Sequence, residues 1–226
     1  MKINTVNTIE VSSVCNLACI YCPVRLQAKY RKVGLMSLET FQKCMLWVDE
    51  CVRRGTQKEV NIFGLGEPLL NPDLVEMVQI ARQHIGTRRL RFSTNGILLT
   101  PELAHELKEA GITDIGVSGH DPYHSAKAVQ ILRAEGIFDC LDQSAILTPH
   151  SWAGRVSWFE SVRYPCPWVK GMCAIQWEGS ISVCCMDAFA EGIIGQVDNI
   201  NRFDEVDMKP YLRCQKCHQT LSTTYD

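Results

Sequence analysis

Residues 59–96 read EVNIFGLGEPLLNPDLVEMVQIARQHIGTRRLRFSTNG and contain one complete strand, helix and strand. EVNIF has the apolar run of a buried strand, and RLRFSTNG has the pattern of another. Between them, Asn71 as cap and Pro72 at the first helical position predict where a helix begins, and Gly86 predicts where it ends. A helix between two strands of this kind predicts that the strands run parallel.

The same order of elements extends outward on both sides. NTIEVSS predicts a first strand, and Ser37 is expected to cap a helix with apolar positions at Phe41, Cys44/Met45, Val48 and Cys51/Val52. TPELAHELKEAG, DIGVSGHD, PYHSAKAVQILRAEG and CLDQSAILT predict a helix, strand, helix and strand in turn. We therefore expect residues 1–150 to form an α/β domain, a partial (β/α) TIM-like barrel of about five to six parallel strands.

The alternation stops near residue 151. AIQWEG and SISVCC predict a β-hairpin with EGS as its turn, and no low-complexity linker precedes them. We expect residues 151–226 to form a small appendage that packs directly on the first domain.

Composition and charge argue against several classes of protein. The 226 residues are 46% hydrophobic and 21% charged, as in ordinary globular proteins. A net charge of −2 argues against a strong field for nucleic-acid phosphates. Since neither a signal peptide nor a long apolar span is visible, we expect a cytoplasmic protein with no membrane partner. In a reducing compartment the 12 cysteines are expected to be metal ligands, catalytic groups or buried side chains.

Three thiols stand close together in CNLACIYC, at Cys15, Cys19 and Cys22. This stretch, GLGEP, STNG and SGHD each follow a predicted strand, and the carboxyl ends of parallel strands meet at one edge of a sheet or barrel. Four thiolates would close a tetrahedral zinc site, whereas three on a four-iron cluster leave one iron open to a substrate. A buried thiol cluster or an incomplete zinc site is the alternative.

CNLACIYC resembles the signature of the radical S-adenosylmethionine superfamily. The resemblance implies a [4Fe-4S] cluster on these three cysteines and S-adenosylmethionine on the open iron, split by one electron to give a 5′-deoxyadenosyl radical. GLGEP resembles the family's GGEP segment, with leucine in place of one glycine, and contributes Gly64, Gly66 and Glu67. The resemblance places Glu67 against the ammonium of S-adenosylmethionine.

Further cofactor contacts follow from the same resemblance. Ser93, Thr94 and Asn95 resemble the family's contacts to ribose and carboxylate, and Ser118 takes a similar role. Tyr21 matches the aromatic residue that packs near adenine. Ordinary turn chemistry is the alternative for STNG.

A second set of cysteines lies in the C-terminal part. Cys166, Gly179 and Cys184 have the spacing C-x12-G-x4-C, and Cys214 and Cys217 follow as C-x2-C. The set resembles the auxiliary-cluster module called Twitch, a short form of the SPASM domain, and implies an auxiliary [4Fe-4S] cluster. In size and cysteine sets the chain resembles small radical enzymes of the butirosin-pathway inosamine dehydrogenase type, which oxidise an alcohol.

Other readings of the cysteines stay open. A zinc ribbon could use the second set. Cys173 and Cys185 are second choices as ligands. Cys185 is expected on the opposite strand face from Cys184, and Cys173 lies nearer Gly179 than the family pattern allows. CQKCH also matches the haem-attachment pattern, but haem attachment would normally require export and no signal peptide is visible, so we reject that reading. The remaining cysteines are expected in the core: Cys44, Cys51 and Cys140.

The substrate is the least determined part. His120 and Asp121 could act as acid, base or hydrogen-bonding groups, although Asp121 could instead cap a helix. Arg155 and His150 could contact a polar substrate. We expect removal of a hydrogen atom from a small molecule, peptide or modified nucleotide, with flavodoxin or ferredoxin as reductant. Alcohol oxidation, peptide modification, rearrangement of a nucleobase, and a non-catalytic iron-sulfur or zinc protein remain alternatives.

Overall fold

Strand β1 lies inside a sheet of eight strands, with four parallel strands on one side and three strands on the other. The computed structural model describes residues 2–142, 164–206 and 219–220. The strands and α-helices in chain order are β1 (Thr5–Ile9), α1 (Val24–Gln27), α2 (Leu38–Arg53), β2 (Glu59–Asn61), α3 (Leu74–Ile85), β3 (Arg89–Thr94), α4 (Pro101–Glu109), β4 (Asp114–Ser118), α5 (Pro122–Glu135), β5 (Phe138–Asp142), β6 (Tyr164–Pro165), β7 (Met172–Ile175), β8 (Ser180–Ser182), β9 (Ile193–Gln196) and β10 (Gln219–Thr220).

The order of strands in the main sheet is β5-β4-β3-β2-β1-β7-β8-β9. Every pair from β5 to β7 is parallel, whereas β7, β8 and β9 pair antiparallel. Five of the six parallel strands lie within residues 1–142, in agreement with the expected five to six, and the sixth, β7, comes from the C-terminal segment. Within the described residues β5 and β9 are the edges of this sheet, so it does not close. Strands β6 and β10 form a separate parallel pair.

Helix α2 begins and buries its side chains largely as its sequence predicts. The Ser37 side chain accepts a hydrogen bond from the Thr40 N–H at 3.2 Å, and Phe41 and Val48 are fully buried. Trp47 is also fully buried, outside the predicted stripe, and donates its indole N–H to the Val197 carbonyl at 2.9 Å. The C-terminal segment therefore covers a second face of α2, which the helix pattern by itself does not show.

The start of α3 differs from the prediction. The helix begins at Leu74 rather than beside Asn71, and it ends at Gly86 as predicted. The buried Asn71 amide donates instead to the carbonyls of Val11 and Met36 at 2.8 and 3.0 Å. Its side-chain oxygen accepts the Asp73 N–H at 3.0 Å, so Asn71 still closes the turn before α3 while its amide joins two distant loops.

The other predicted helix boundaries are confirmed. Thr100 caps α4 through the Leu103 N–H, and Asp121 caps α5 through the His124 N–H. Gly136 ends α5 in a left-handed conformation with φ of 67°. The core between helices and sheet is apolar, and its fully buried side chains include Phe92, Leu90, Ile115 and Val117.

The C-terminal segment continues the sheet. Strand β7 pairs with β1, and β7 and β8 form the predicted hairpin, in which Gly179 has a φ of 90° that favours glycine. The boundary predicted between residues 150 and 151 lies outside the described residues, so the division into two domains stays a prediction. In the part of the chain that the structure describes, no helix has the length and apolar character of a membrane span.

Candidate active site

A cavity of about 230 Å³ lies beyond the carboxyl ends of β1 to β4. Its lining includes the three thiols of CNLACIYC and polar or glycine residues that follow three other strands. The predicted residues that the fold brings together there are Cys15, Cys19, Cys22, Tyr21, Gly64, Gly66, Glu67, Ser93, Asn95, Ser118 and His120. Their assembly agrees with the expectation from strand ends, and their individual roles stay predictions.

The Cys15 and Cys22 thiols are partly desolvated and lie near other acidic groups. Burial raises the pKa of Cys15, and it raises the pKa of Cys22 to about 11. Glu67 adds a smaller effect on Cys15 in the same direction. The raised pKa of these two thiols suits a bound cation, because metal binding removes the thiol protons and supplies the missing positive charge.

The donor set therefore fits an iron-sulfur cluster held by three thiolates. Within the described ranges, no three His, Cys, Asp or Glu side chains lie together in the way that a single metal ion requires. A four-iron cluster binds each thiolate through a different iron, so it does not need its three ligands gathered around one ion.

Two glycines allow the GLGEP loop to lie directly on the start of the cysteine segment. A Cβ atom at Gly66 would collide with the carbonyl oxygens of Ser12 and Val14, and one at Gly64 would lie 2.5 Å from the Glu10 side chain. The backbone of Gly66 donates to the Ser12 carbonyl at 3.1 Å. These residues therefore serve the close approach of two backbones, and no larger side chain fits without movement.

Glu67 holds the GLGEP loop against the end of β3. Its buried carboxylate accepts hydrogen bonds from the Thr94 hydroxyl at 2.7 Å, the Asn95 N–H at 2.8 Å and the Leu69 N–H at 3.1 Å. Burial raises its pKa, although these hydrogen bonds oppose that effect. The contact of Glu67 with an ammonium stays a prediction, and the structure shows in addition that this carboxylate organises the site.

Asn95 is both a turn residue and part of the cavity wall. Its side-chain oxygen accepts from the Ile97 N–H at 3.1 Å, as the turn alternative predicts. Its amide donates to the Asn16 side chain at 2.7 Å and lies 3.9 Å from the Cys15 sulfur. Asn95 therefore connects the end of β3 with the cysteine segment.

Tyr21 and His120 meet at the edge of the cavity. The Tyr21 hydroxyl lies 2.5 Å from His120 Nδ1, and the ring centroids are 5.7 Å apart. This contact joins the cysteine segment to the chain that follows β4. A packing role of Tyr21 near adenine stays a prediction.

The structure places Asp121 outside the cavity lining. Its side chain caps α5, and the hydrogen bond from the His124 N–H holds its pKa below the ordinary value. This position favours the capping alternative over a catalytic role. Arg155 and His150 lie outside the described residues, so their roles stay predictions.

The second cysteine set is described in part. Cys166 precedes a short 3-10 helix, Pro167–Lys170, and Cys184 follows β8, whereas Cys214 and Cys217 lie outside the described residues. The expectation that Cys185 points away from Cys184 is wrong. Strand β8 ends at Ser182, so strand alternation no longer applies, and the neighbouring Cys185 thiol raises the pKa of Cys184. Cys184 and Cys185 thus lie side by side after the end of β8.

Three other cysteines are core residues. Cys44, Cys51 and Cys173 are fully buried among apolar side chains, as expected for the first two. Burial of Cys173 does not favour its use as a ligand. Cys140 lies in β5.

Glu10 is the residue of this region that sequence reasoning missed. It is buried at the end of β1, forms an ion pair with Arg31, and accepts hydrogen bonds from the backbone N–H groups of Leu65 and Trp177. The one available signal was an acidic residue inside the otherwise apolar run IEV. Its partners are distant in the chain, so spacing does not reveal them.

The family model described as the radical SAM superfamily matches residues 9–139, more than half of the chain. The chain belongs to the radical SAM superfamily. Members of this family bind a [4Fe-4S] cluster and S-adenosylmethionine. The expected family is therefore confirmed, and these two expected cofactors are confirmed as the cofactors of that family.

Two curated radical SAM relatives illustrate the match. Mycofactocin maturase MftC of Mycobacterium tuberculosis is 35% identical over 133 residues, 58% of this chain and 31% of the relative. GTP 3′,8-cyclase of Alkaliphilus oremlandii is 34% identical over 141 residues, 59% of this chain and 42% of the relative. The chain thus spans about a third to two fifths of the length of these relatives.

Solved structures agree in fold across nearly the whole chain. A crystal structure of BtrN in complex with AdoMet and 2-DOIA has a TM-score of 0.74 at 21% identity, covering 92% of this chain and 85% of that one. Native anSMEcpe with bound AdoMet and Kp18Cys peptide has a TM-score of 0.61 at 14% identity, covering 94% and 86%. These radical SAM neighbours are partial TIM barrels, which confirms the expected fold class.

Proposed function

We propose that this chain is a radical SAM enzyme that removes a hydrogen atom from a small-molecule or peptide substrate and completes a two-electron oxidation. Cys15, Cys19 and Cys22 would hold the [4Fe-4S] cluster. When bound, the cluster and S-adenosylmethionine supply the 5′-deoxyadenosyl radical. The observation that carries the proposal is the assembly of the three thiols, the GLGEP loop and the strand-end polar groups around one cavity.

The residues of the cavity wall would bind and orient the sulfonium compound. The Glu67 carboxylate accepts three hydrogen bonds within the chain, and a carboxylate has about four acceptor positions, so one remains for an ammonium. The Asn95 amide lies between the Asn16 side chain and the Cys15 sulfur, where it can contact polar groups of a bound molecule. Ser93 and Ser118 line the same wall.

The second cysteine set supports the oxidative outcome. Cys166 and Cys184, with Cys214 and Cys217, would hold an auxiliary [4Fe-4S] cluster that accepts the electron left on the oxidised substrate. Cys184 lies at the end of the hairpin that continues the main sheet from β1, the strand that leads into the cysteine segment. A zinc ion on the same four thiols is the alternative, and it would remove the electron acceptor.

Anaerobic reconstitution followed by iron and sulfide counting tests the proposal. We expect two clusters, an electron paramagnetic resonance spectrum that changes when S-adenosylmethionine is added, and slow formation of 5′-deoxyadenosine with dithionite. Cys19→Ala should abolish both the spectral change and the cleavage. Cys44→Ala is the matched control, because Cys44 is buried in the core away from the cavity, and it should keep both.

Three outcomes would contradict specific parts of the proposal. Cleavage that persists in Cys19→Ala would remove the assigned cluster site. Zinc in place of the second cluster would remove the oxidative outcome, and a reaction without net oxidation, such as rearrangement of a nucleobase, would replace it. Clusters that show no response to S-adenosylmethionine would indicate a non-catalytic iron-sulfur protein.

A further inference from the structure

The segment that carries the three thiols has an unusual charge. Residues 11–38 form the longest stretch of the chain without Asp or Glu, although the whole chain has a net charge of −2. Four basic residues lie in this stretch, and one of them, Arg31, is neutralised by the buried Glu10. The positive charge that remains comes from Arg25, Lys29 and Lys32.

A second stretch without acidic residues provides a comparison. Residues 77–101 contain four arginines, and each is bonded to an oxygen from elsewhere in the fold. Arg82 and Arg88 donate to backbone carbonyls, and Arg89 and Arg91 pair with the Asp114 carboxylate. Those arginines are used inside the structure, so an excess of basic residues in the sequence does not by itself leave a charged surface.

The cations beside the thiols are not used in that way. Arg25, Lys29 and Lys32 are exposed, and none of them forms an ion pair within the part of the chain that is described. The same stretch of chain carries exposed apolar and aromatic side chains, since Ile20 is 70% exposed and Tyr30 56%. Exposed apolar groups bordered by charge are typical of a surface that binds another protein.

This surface is held in place by the C-terminal segment. The Trp177 indole N–H donates to the Lys32 carbonyl at 3.2 Å, and the Tyr30 ring packs on Phe189 with centroids 4.4 Å apart. Phe189 lies five residues after Cys184, and Tyr30 lies eight residues after Cys22, so this contact joins chain segments that follow a cysteine of each set. A surface that is already ordered loses little conformational entropy on binding.

We propose that Ile20, Arg25, Lys29, Tyr30 and Lys32 form a basic surface that docks an acidic protein carrying a single electron. The inference rests on the proposed function, because the electron passes from the reduced carrier to the cluster held by the neighbouring thiols. The carrier is oxidised by one electron, the cluster is reduced by one, and no bond is formed or broken in this step. Charge complementarity selects an acidic partner and speeds its encounter.

A nucleic acid is the less favoured occupant. Three cations without an ion pair among the described residues accompany exposed apolar side chains in this stretch, whereas tight binding to phosphates generally uses more charged contacts along a polar stripe. An acidic protein satisfies both the charges and the apolar centre.

Charge reversal at the basic surface tests the proposal. Lys29→Glu/Lys32→Glu is compared with Lys58→Glu/Lys127→Glu, which changes the net charge equally at two other exposed lysines without ion pairs among the described residues. Binding of purified, oxidised bacterial flavodoxin to each cluster-loaded protein is measured by titration calorimetry at low and high salt. We expect about tenfold weaker binding for the first pair, little change for the control, and a difference that shrinks with salt.

A second readout separates docking from chemistry. Cleavage of S-adenosylmethionine driven by reduced flavodoxin should slow in Lys29→Glu/Lys32→Glu, whereas cleavage driven by dithionite should remain, since that small reductant needs no docking surface. Lys29→Gln/Lys32→Gln should show the same trend in flavodoxin binding to a smaller degree.

Equal losses of flavodoxin binding in the two reversal pairs would overturn the docking proposal, and so would no loss in either. Binding of a single-stranded oligonucleotide as tight as that of flavodoxin, and lost with the same two lysines, would assign the surface to nucleic acid instead. If the wild-type protein binds flavodoxin but does not cleave S-adenosylmethionine with dithionite, the proposed function fails while the docking surface stands.

Discussion

Glu10 and Arg31 form a two-point ion pair inside the protein, with nitrogen–oxygen distances of 3.0 and 2.8 Å and side chains that are 7% and 5% exposed. Glu10 also accepts the N–H groups of Leu65 and Trp177. The pair therefore joins β1, the segment after the thiols, the GLGEP loop and the turn after β7. Four parts of the chain around the site depend on one carboxylate.

Arg31→Met should strongly destabilise the protein. A buried carboxylate left without its cation costs about 3 to 5 kcal/mol in the free energy of unfolding. Arg202→Met is the control, since Arg202 forms an exposed pair with Glu205 that should contribute less than about 1 kcal/mol. Anaerobic urea unfolding of both variants measures the difference, and a small effect at Arg31 would show that the pair is not buried.

The destabilisation by Arg31→Met should grow with pH. Burial raises the pKa of Glu10 above its ordinary value of 4.5, and Arg31 opposes this effect. A carboxyl with a raised folded-state pKa contributes stability below its unfolded pKa and loses it as pH rises through the folded pKa. Without Arg31 the folded-state pKa rises further, so the loss in unfolding free energy should be larger near about pH 8 than near about pH 5. A loss that shrinks with pH would contradict this account.

Gly66→Ala should disturb the cavity. The added methyl group collides with two carbonyl oxygens of the cysteine segment, and relieving that contact typically costs about 1 to 3 kcal/mol. We expect at least about tenfold slower cleavage of S-adenosylmethionine, since the backbone displacement moves the thiols and the loop apart. Gly195→Ala is the control, because its nearest neighbour would lie at an ordinary 3.6 Å, and it should keep wild-type rates.

Tyr21→Phe should keep the ring and remove the hydroxyl, which contacts both His120 and the Cys19 side chain. We expect a loss of about 0.5 to 1.5 kcal/mol in stability and a higher KM for S-adenosylmethionine with little change in kcat. In a double-mutant cycle with His120→Asn the effects should not add, because both variants remove the same contact. Additive effects would show that the two side chains act independently.

Asp121→Asn should be nearly silent, since asparagine also caps helices. Asp121→Ala should lower the midpoint of thermal unfolding by about 2 to 4 °C, because the first turn of α5 loses the acceptor of its His124 N–H. Cleavage rates should stay unchanged in both variants. A large loss of activity in Asp121→Asn would support the catalytic role.

Local signals in the sequence predicted most of the helices. Ser37, Thr100 and Asp121 act on N–H groups three residues away, so their capping is readable from the chain alone. Asn71 is also a capping residue and accepts the Asp73 N–H, but its amide donates to the carbonyls of Val11 and Met36, which no local pattern indicates. Cys185 is a similar case, because the end of β8 depends on pairing with other strands.

The sequence by itself determined that the strands of the first domain run parallel and which residues stand at their carboxyl ends. It therefore determined that the thiols meet GLGEP and STNG at one cavity. These features follow from spacing and local preference, which act over a few residues. Only the tertiary structure decided which groups bond there: Glu67 with Asn95, Tyr21 with His120, and Glu10 with Arg31. The physical reason is that a hydrogen bond or ion pair depends on distances of about 3 Å between side chains, which the packing of the whole chain sets.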